Sequence, residues 1–131
     1  MLTKEEHIEY WINSAEEDWK AVYSLLKGKN YVQALFFGHL VLEKISKAIW
    51  VKHNESNIPP KIHNILKLLS QTPVNLNQEQ QEYLIEVNKF QLEGRYPDYL
   101  NNIFKICTLE YTENSLKKID EIRVCLIKNL L

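Results

Sequence analysis

The chain has 131 residues, 45% of them hydrophobic and 25% charged, and its 16 basic and 17 acidic side chains leave a formal charge of −1. That balance excludes disorder as the main state, and it gives no net field to draw nucleic acid or an acidic membrane. With only 3 glycines and 4 prolines, the chain has too few turn residues for a β-sandwich or barrel, and its length admits one domain over 1–131 with one sizeable core.

The hydrophobic period is helical nearly throughout. Ile8, Trp11, Ile12, Ala15, Trp19, Val22 and Leu26 recur at spacings of three and four, and Thr3 with Glu6 forms a capping-box signature at their start. Gly28-Lys29-Asn30 ends this first helix. A second helix is predicted from Tyr31 to His53, apolar on two stripes and therefore central. Gly38 in its middle costs about 1 kcal/mol against Ala, which close approach of another helix explains. A loop from Asn54 to Pro60 precedes a short helix predicted over Ile62 to Ser70. Asn77 and Gln80 cap the next helix, which runs to about Leu92 with Tyr83, Leu84, Val87 and Phe90 inward, and Gly94 ends it. Arg95 to Tyr99 reads as a loop. The last helix starts near Thr108, with Leu109, Thr112, Leu116, Ile119, Arg123, Leu126 and Leu130 on one stripe. The fold class is all-α, an up-and-down antiparallel bundle of four to five helices.

The N-terminal MLTKEEHIEYW carries charges where a signal peptide needs an apolar run. The most apolar stretch, Leu35 to Leu42, is too short to span a membrane, and Gly38 and His39 interrupt it. Cys107 and Cys125 form no C-x-x-C pair and read as free thiols. A cytoplasmic protein is expected.

Candidate chemistry sits in three places. His39, Glu43, Lys44 and Lys47 share the second helix, with Glu43 and Lys47 in the favourable i, i+4 order. They read either as a charged site on a rigid helix or as a surface ion pair. A His-x3-Glu pair supplies too few ligands for a metal, so no metal or other cofactor is expected. His63 follows Pro59-Pro60 and suits acid–base work or a loop-fixing backbone hydrogen bond. Arg95 offers a bidentate fork among Tyr96, Asp98 and Tyr99, and it suits either phosphate recognition or a clamp on Asp98. Neither a nucleophile elbow nor a Gly-rich phosphate loop is present.

Several of these pieces resemble a HEPN domain, in the right order. They are Ser14-Ala15-Glu16-Glu17-Asp18, then Tyr31 with Ala34, then Leu42-Glu43-Lys44-Ile45-Ser46-Lys47-Ala48, which is similar to the family's E-K-x-x-K-A. Pro60 with His63, Leu68-Leu69 and Arg95-Tyr96-Pro97-Asp98 follow, so the resemblance covers roughly residues 5 to 130. His39 departs from the pattern, where the family often has Gln. The resemblance implies a helical bundle that often dimerises. It also implies pairing with a small nucleotidyltransferase, frequently as toxin and antitoxin. Active members are metal-independent ribonucleases with an Arg-x4-6-His motif, and others bind nucleotides without catalysis. That motif is absent here, because His7, His39, His53 and His63 all precede Arg95 and Arg123.

The expectation is a non-catalytic nucleotide- or partner-binding homodimer. Its ligand face carries Glu43, Lys47, His63, Arg95, Tyr96 and Asp98, with a nucleotide, RNA or a nucleotidyltransferase-domain protein as partner and no membrane contact. The enzymatic alternative is a ribonuclease using His63 and Arg95. The structural alternative is a helical dimer joined through exposed apolar residues such as Phe36 and Trp50.

Overall fold

The computed structural model describes residues 1–93 and 105–130, with the backbone alone for 88–93. Five helices stand among these residues, and no strand does. They are α1 (Lys4–Lys27), α2 (Tyr31–His53), α3 (Ile65–Leu69), α4 (Gln78–Glu93) and α5 (Leu109–Lys128).

The capping box expected at α1 is formed. The Thr3 hydroxyl accepts from the Glu6 N–H at 3.1 Å, and the Thr3 N–H donates to Glu6 Oε1 at 3.3 Å. At the other end Lys29, not Gly28, takes the left-handed conformation, at φ 62°. The Lys29 N–H donates to the Leu26 carbonyl and the Asn30 N–H to the Leu25 carbonyl, which closes a Schellman turn. The chain reverses there and α2 runs back along α1. Lys4 Nζ donates to the carbonyls of Val51 and Asn54, both at 2.7 Å, tying the start of α1 to the end of α2.

Fourteen of the 23 residues of α2 are buried, so it is the central helix, as its two apolar stripes require. Gly38 is where α5 comes closest. A Cβ there would lie 2.9 Å from Ile119 Cδ1 and 3.4 Å from Leu116 Cδ2. Lys52 Nζ reaches the Asn129 carbonyl at 3.2 Å, so α2 and α5 run in the same direction. Tyr83 on α4 donates to the Ser115 carbonyl on α5, and Asn77 and Gln80 face Glu121 and Ile122, so those two helices are antiparallel. The result is an up-and-down bundle in which α1 and α4 run one way and α2 and α5 the other.

Three sequence readings are corrected here. The short helix starts at Ile65 instead of Ile62. Asn64 accepts from the Lys67 N–H and so caps it, and the Ile62 N–H is committed to a turn with the Pro60 carbonyl. Leu109 is about half exposed, and Ile122, outside the expected stripe, is fully buried instead. Trp50 is 8% exposed and Phe36 is partly buried against the core, so neither is the exposed apolar residue that the dimer alternative took it for. Trp50 lies against Val51 and Leu68, and its indole N–H donates to Gln71 Oε1. Phe90 and Gly94 lie outside the described side chains and residues. Cys107 and Cys125 are free, and burial pushes the Cys107 thiol up to about 11. No described helix is long and apolar enough to cross a membrane.

Candidate functional site

The α2 face that carries Glu43 and Lys47 looks toward the loop before α3. Residues four apart lie one above the other on a helix, so Glu43 Oε2 stands 3.8 Å from Lys47 Nζ. The other carboxylate oxygen, Oε1, lies 2.7 Å from His63 Nδ1. Burial grades steeply across this group. The Glu43 side chain is 5% exposed, Lys47 12%, and His63 59%. A carboxylate this buried is expensive unless it is paired and hydrogen-bonded, and here one oxygen has the ammonium and the other the imidazole. The surface ion pair envisaged from sequence is therefore a buried one. His63 is fixed by a side-chain carboxylate and not by backbone.

The antiparallel register of α1 adds a third wall. It sets Trp11 beside Lys47, whose ammonium lies 5.1 Å from the centre of the indole ring. Trp11 in turn packs with Ile8 and Ile62 around Trp50, Val51 and Leu68. The sequence reading placed Trp11 only on the apolar stripe of the first helix. Its role beside Lys47 depends on which α1 residue faces which α2 residue, and spacing along one helix does not carry that.

Lys44 and His39 do not join the group. Lys44 Nζ pairs with Asp18 at 2.6 Å and bonds the Ser14 hydroxyl at 2.8 Å, so it is spent on the α1–α2 interface. His39, one turn before Glu43, is buried, and desolvation lowers its pKa to about 4. It is a neutral core imidazole at physiological pH. Arg95, Tyr96 and Asp98 lie outside the described residues. Among the described residues no group of three or more His, Cys, Asp or Glu is placed to hold a metal ion.

A separate apolar cleft of about 210 Å³ opens between α1, α2 and α5. Ile12, Trp19, Ile45 and Ile127 line it, and none of the Glu43 group does. At its edge Arg123 stacks 4.7 Å from the Trp19 ring centre and is paired to Asp120 at 2.8 Å.

The all-helical bundle agrees with one comparison. The HEPN domain profile matches residues 8–130. The chain belongs to the HEPN family. Neither the curated proteins nor the solved structures gave a match. Membership gives the bundle its family and points to a nucleotide- or RNA-related role. The match also spans the stretch from Arg95 to Asp98.

Proposed function

We propose that this HEPN chain is a non-catalytic binding module for a nucleotide or an RNA, acting as one domain over 1–131. Its ligand face is formed by Glu43, Lys47 and His63, with Arg95, Tyr96 and Asp98 added from their sequence pattern. The observation that supports this most is the exposed imidazole of His63, held at 2.7 Å by the buried Glu43 carboxylate. Ordering an exposed side chain costs rotamer entropy, and a binding site recovers that cost by meeting its ligand already oriented. Arg95 brings the fork that suits a phosphate. We extend the proposal to a cytoplasmic homodimer that partners a nucleotidyltransferase-domain protein, as in toxin–antitoxin pairs.

A thermal-shift titration with nucleotides and short RNAs tests it. A ligand at 100 times its Kd stabilises the fold by about 2.7 kcal/mol. The shift is expected in the wild type and is lost in His63→Ala and Arg95→Ala. A shift that survives both substitutions would move the site elsewhere.

One observation favours a second reading. A carboxylate bonded to one imidazole nitrogen is the arrangement that orients a general base, so His63 has the geometry to accept a proton from an attacking hydroxyl. Against it stands the missing Arg-x4-6-His motif. Incubation of the purified protein with RNA, beside His63→Ala, separates the two. Cleavage that His63→Ala abolishes would replace the binding reading with the ribonuclease one.

A further inference from the structure

α1 and α5 each pack on α2 and scarcely touch one another, so the seam between them stays open. The cleft of about 210 Å³ lies in that seam, with the buried Ala15, Val41 and Ile45 among its walls. An apolar cavity of about 150 Å³ takes benzene, so this one has room for a ring with a short arm. Its lining is aliphatic and indole except for two charged side chains, Arg123 and Glu16.

Those two are not equivalent. The Arg123 side chain is 23% exposed and is held from two sides. Its guanidinium lies 4.7 Å from the Trp19 ring centre, and its Nε and Nη2 lie 2.9 and 2.8 Å from Asp120 Oδ1. Among the described residues nothing takes the Nη1 hydrogens, which are left for another acceptor. Glu16 is exposed, and among the described residues nothing bonds its carboxylate. A donor already held in place meets a ligand at little entropic cost, whereas a free surface carboxylate pays that cost and is screened by salt.

We infer that this cleft is a second binding site, which takes a small apolar monocarboxylate with its ring or chain against Trp19 and Ile45 and its carboxylate on Arg123. A guanidinium only donates, so the head it selects is an acceptor, and a planar carboxylate matches its N–H edge. A phosphate suits the same edge, but its greater charge is repelled more by Asp120 and Glu16. None of the Glu43 group lines the cleft, so the site stands whether or not that face binds a nucleotide.

NMR titration of the 15N-labelled full chain with phenylacetate, phenylacetamide and phenethylamine tests this. Phenylacetate is expected to give saturable shifts at the Trp19 indole N–H and the Ile45 and Ile127 amides. The amide loses the charge-assisted hydrogen bond and is expected to bind about tenfold more weakly. Arg123→Gln should bring phenylacetate down to the affinity of the amide. Ile127→Trp, made at the partly buried rim, should fill the cleft and erase the Trp19 shifts, and it keeps the test open if Arg123→Gln fails to fold. Tightest binding by phenethylamine would assign the mouth to Glu16 and overturn the inference. Equal binding of acid and amide would overturn the carboxylate assignment. No saturable shift at Trp19 with any of the three, or phenylacetate binding unchanged in both variants, would remove the site.

Discussion

Replacing Gly38 by Ala tests the closest helix contact in the fold, and the magnitude follows from two opposing effects. In the middle of α2, Ala is favoured over Gly by about 1 kcal/mol through backbone entropy. The new Cβ would stand 2.9 Å from Ile119 Cδ1, well inside the 3.5–4.0 Å of an ordinary carbon contact. Ile119 is fully buried, so its methyl has no solvent to swing into. Overpacking of this kind costs about 1–3 kcal/mol. Gly38→Ala alone is therefore expected to be neutral to destabilising by about 2 kcal/mol. Ile119→Val removes the Cδ1 atom and costs about 1 kcal/mol by itself. In that background the nearest atoms are Leu116 Cδ2 at 3.4 Å and Ile119 Cγ2 at 3.6 Å, and the helical gain of Ala is released. The double mutant is then more stable than the sum of the singles by about 1 kcal/mol or more. Equilibrium urea unfolding of the four proteins measures this. Additivity within about 0.4 kcal/mol would refute the claim that α5 packs onto Gly38.

Three further outcomes are expected. His39 is neutral in the fold, with a pKa of about 4, whereas the unfolded chain takes up its proton near the ordinary 6.5. Stability should therefore fall as pH drops from about 6.5 to 4, by up to about 3 kcal/mol, and level off below. His39→Gln should flatten that slope in a Tm-against-pH series, and an unchanged slope would assign acid lability to other groups. The Cys107 thiol, buried and raised to about 11, should react with a thiol reagent only on unfolding, so labelling of native protein at Cys107 as fast as at Cys125 would contradict its burial. Lys44→Ala should cost about 1–3 kcal/mol, because it strips a partner from the mostly buried Asp18, while Lys20→Ala at an exposed pair should cost less than about 0.5 kcal/mol. Equal losses in thermal unfolding would mean that the Lys44–Asp18 pair contributes no more than a surface one.

Much of this architecture is legible in the sequence where local chemistry decides it. The Thr3–Glu6 box, the ends of α2 and the Asn77–Gln80 cap all rest on residues within four positions of one another. The Asn77 side chain accepts from the Gln80 N–H at 2.8 Å, and the Gln80 side chain accepts from the Asn77 N–H at 3.1 Å. Gly38 was also readable, because a glycine in a central helix signals a close neighbour, although the neighbour's identity was not. Reading fails where the answer depends on register between helices. Trp50 looks like an exposed aromatic on its own helix, and it is covered by Leu68 and Gln71 from a segment that begins with a capped turn. Ile122 falls off the stripe drawn for α5, since that helix is buried by both α2 and α4 and so needs a wider apolar face than one stripe. In the candidate site, Glu43 with Lys47 is visible from an i, i+4 spacing, and His63 from its place just after Pro59-Pro60. That the carboxylate bridges them, and that it is buried, arises from the fold of the 54–64 loop over α2, which no spacing rule carries.

The central claim is that the Glu43, Lys47 and His63 face is where this HEPN domain meets its ligand. The most direct measurement is an NMR titration of the 15N-labelled chain with a ribonucleotide, following the Trp11 indole N–H, the His63 ring and the backbone amides together. Saturable shifts concentrated on Trp11, Lys47 and His63 are the expected result. Shifts confined to Ile12, Trp19 and Arg123 at the apolar cleft, or none on His63, would contradict it.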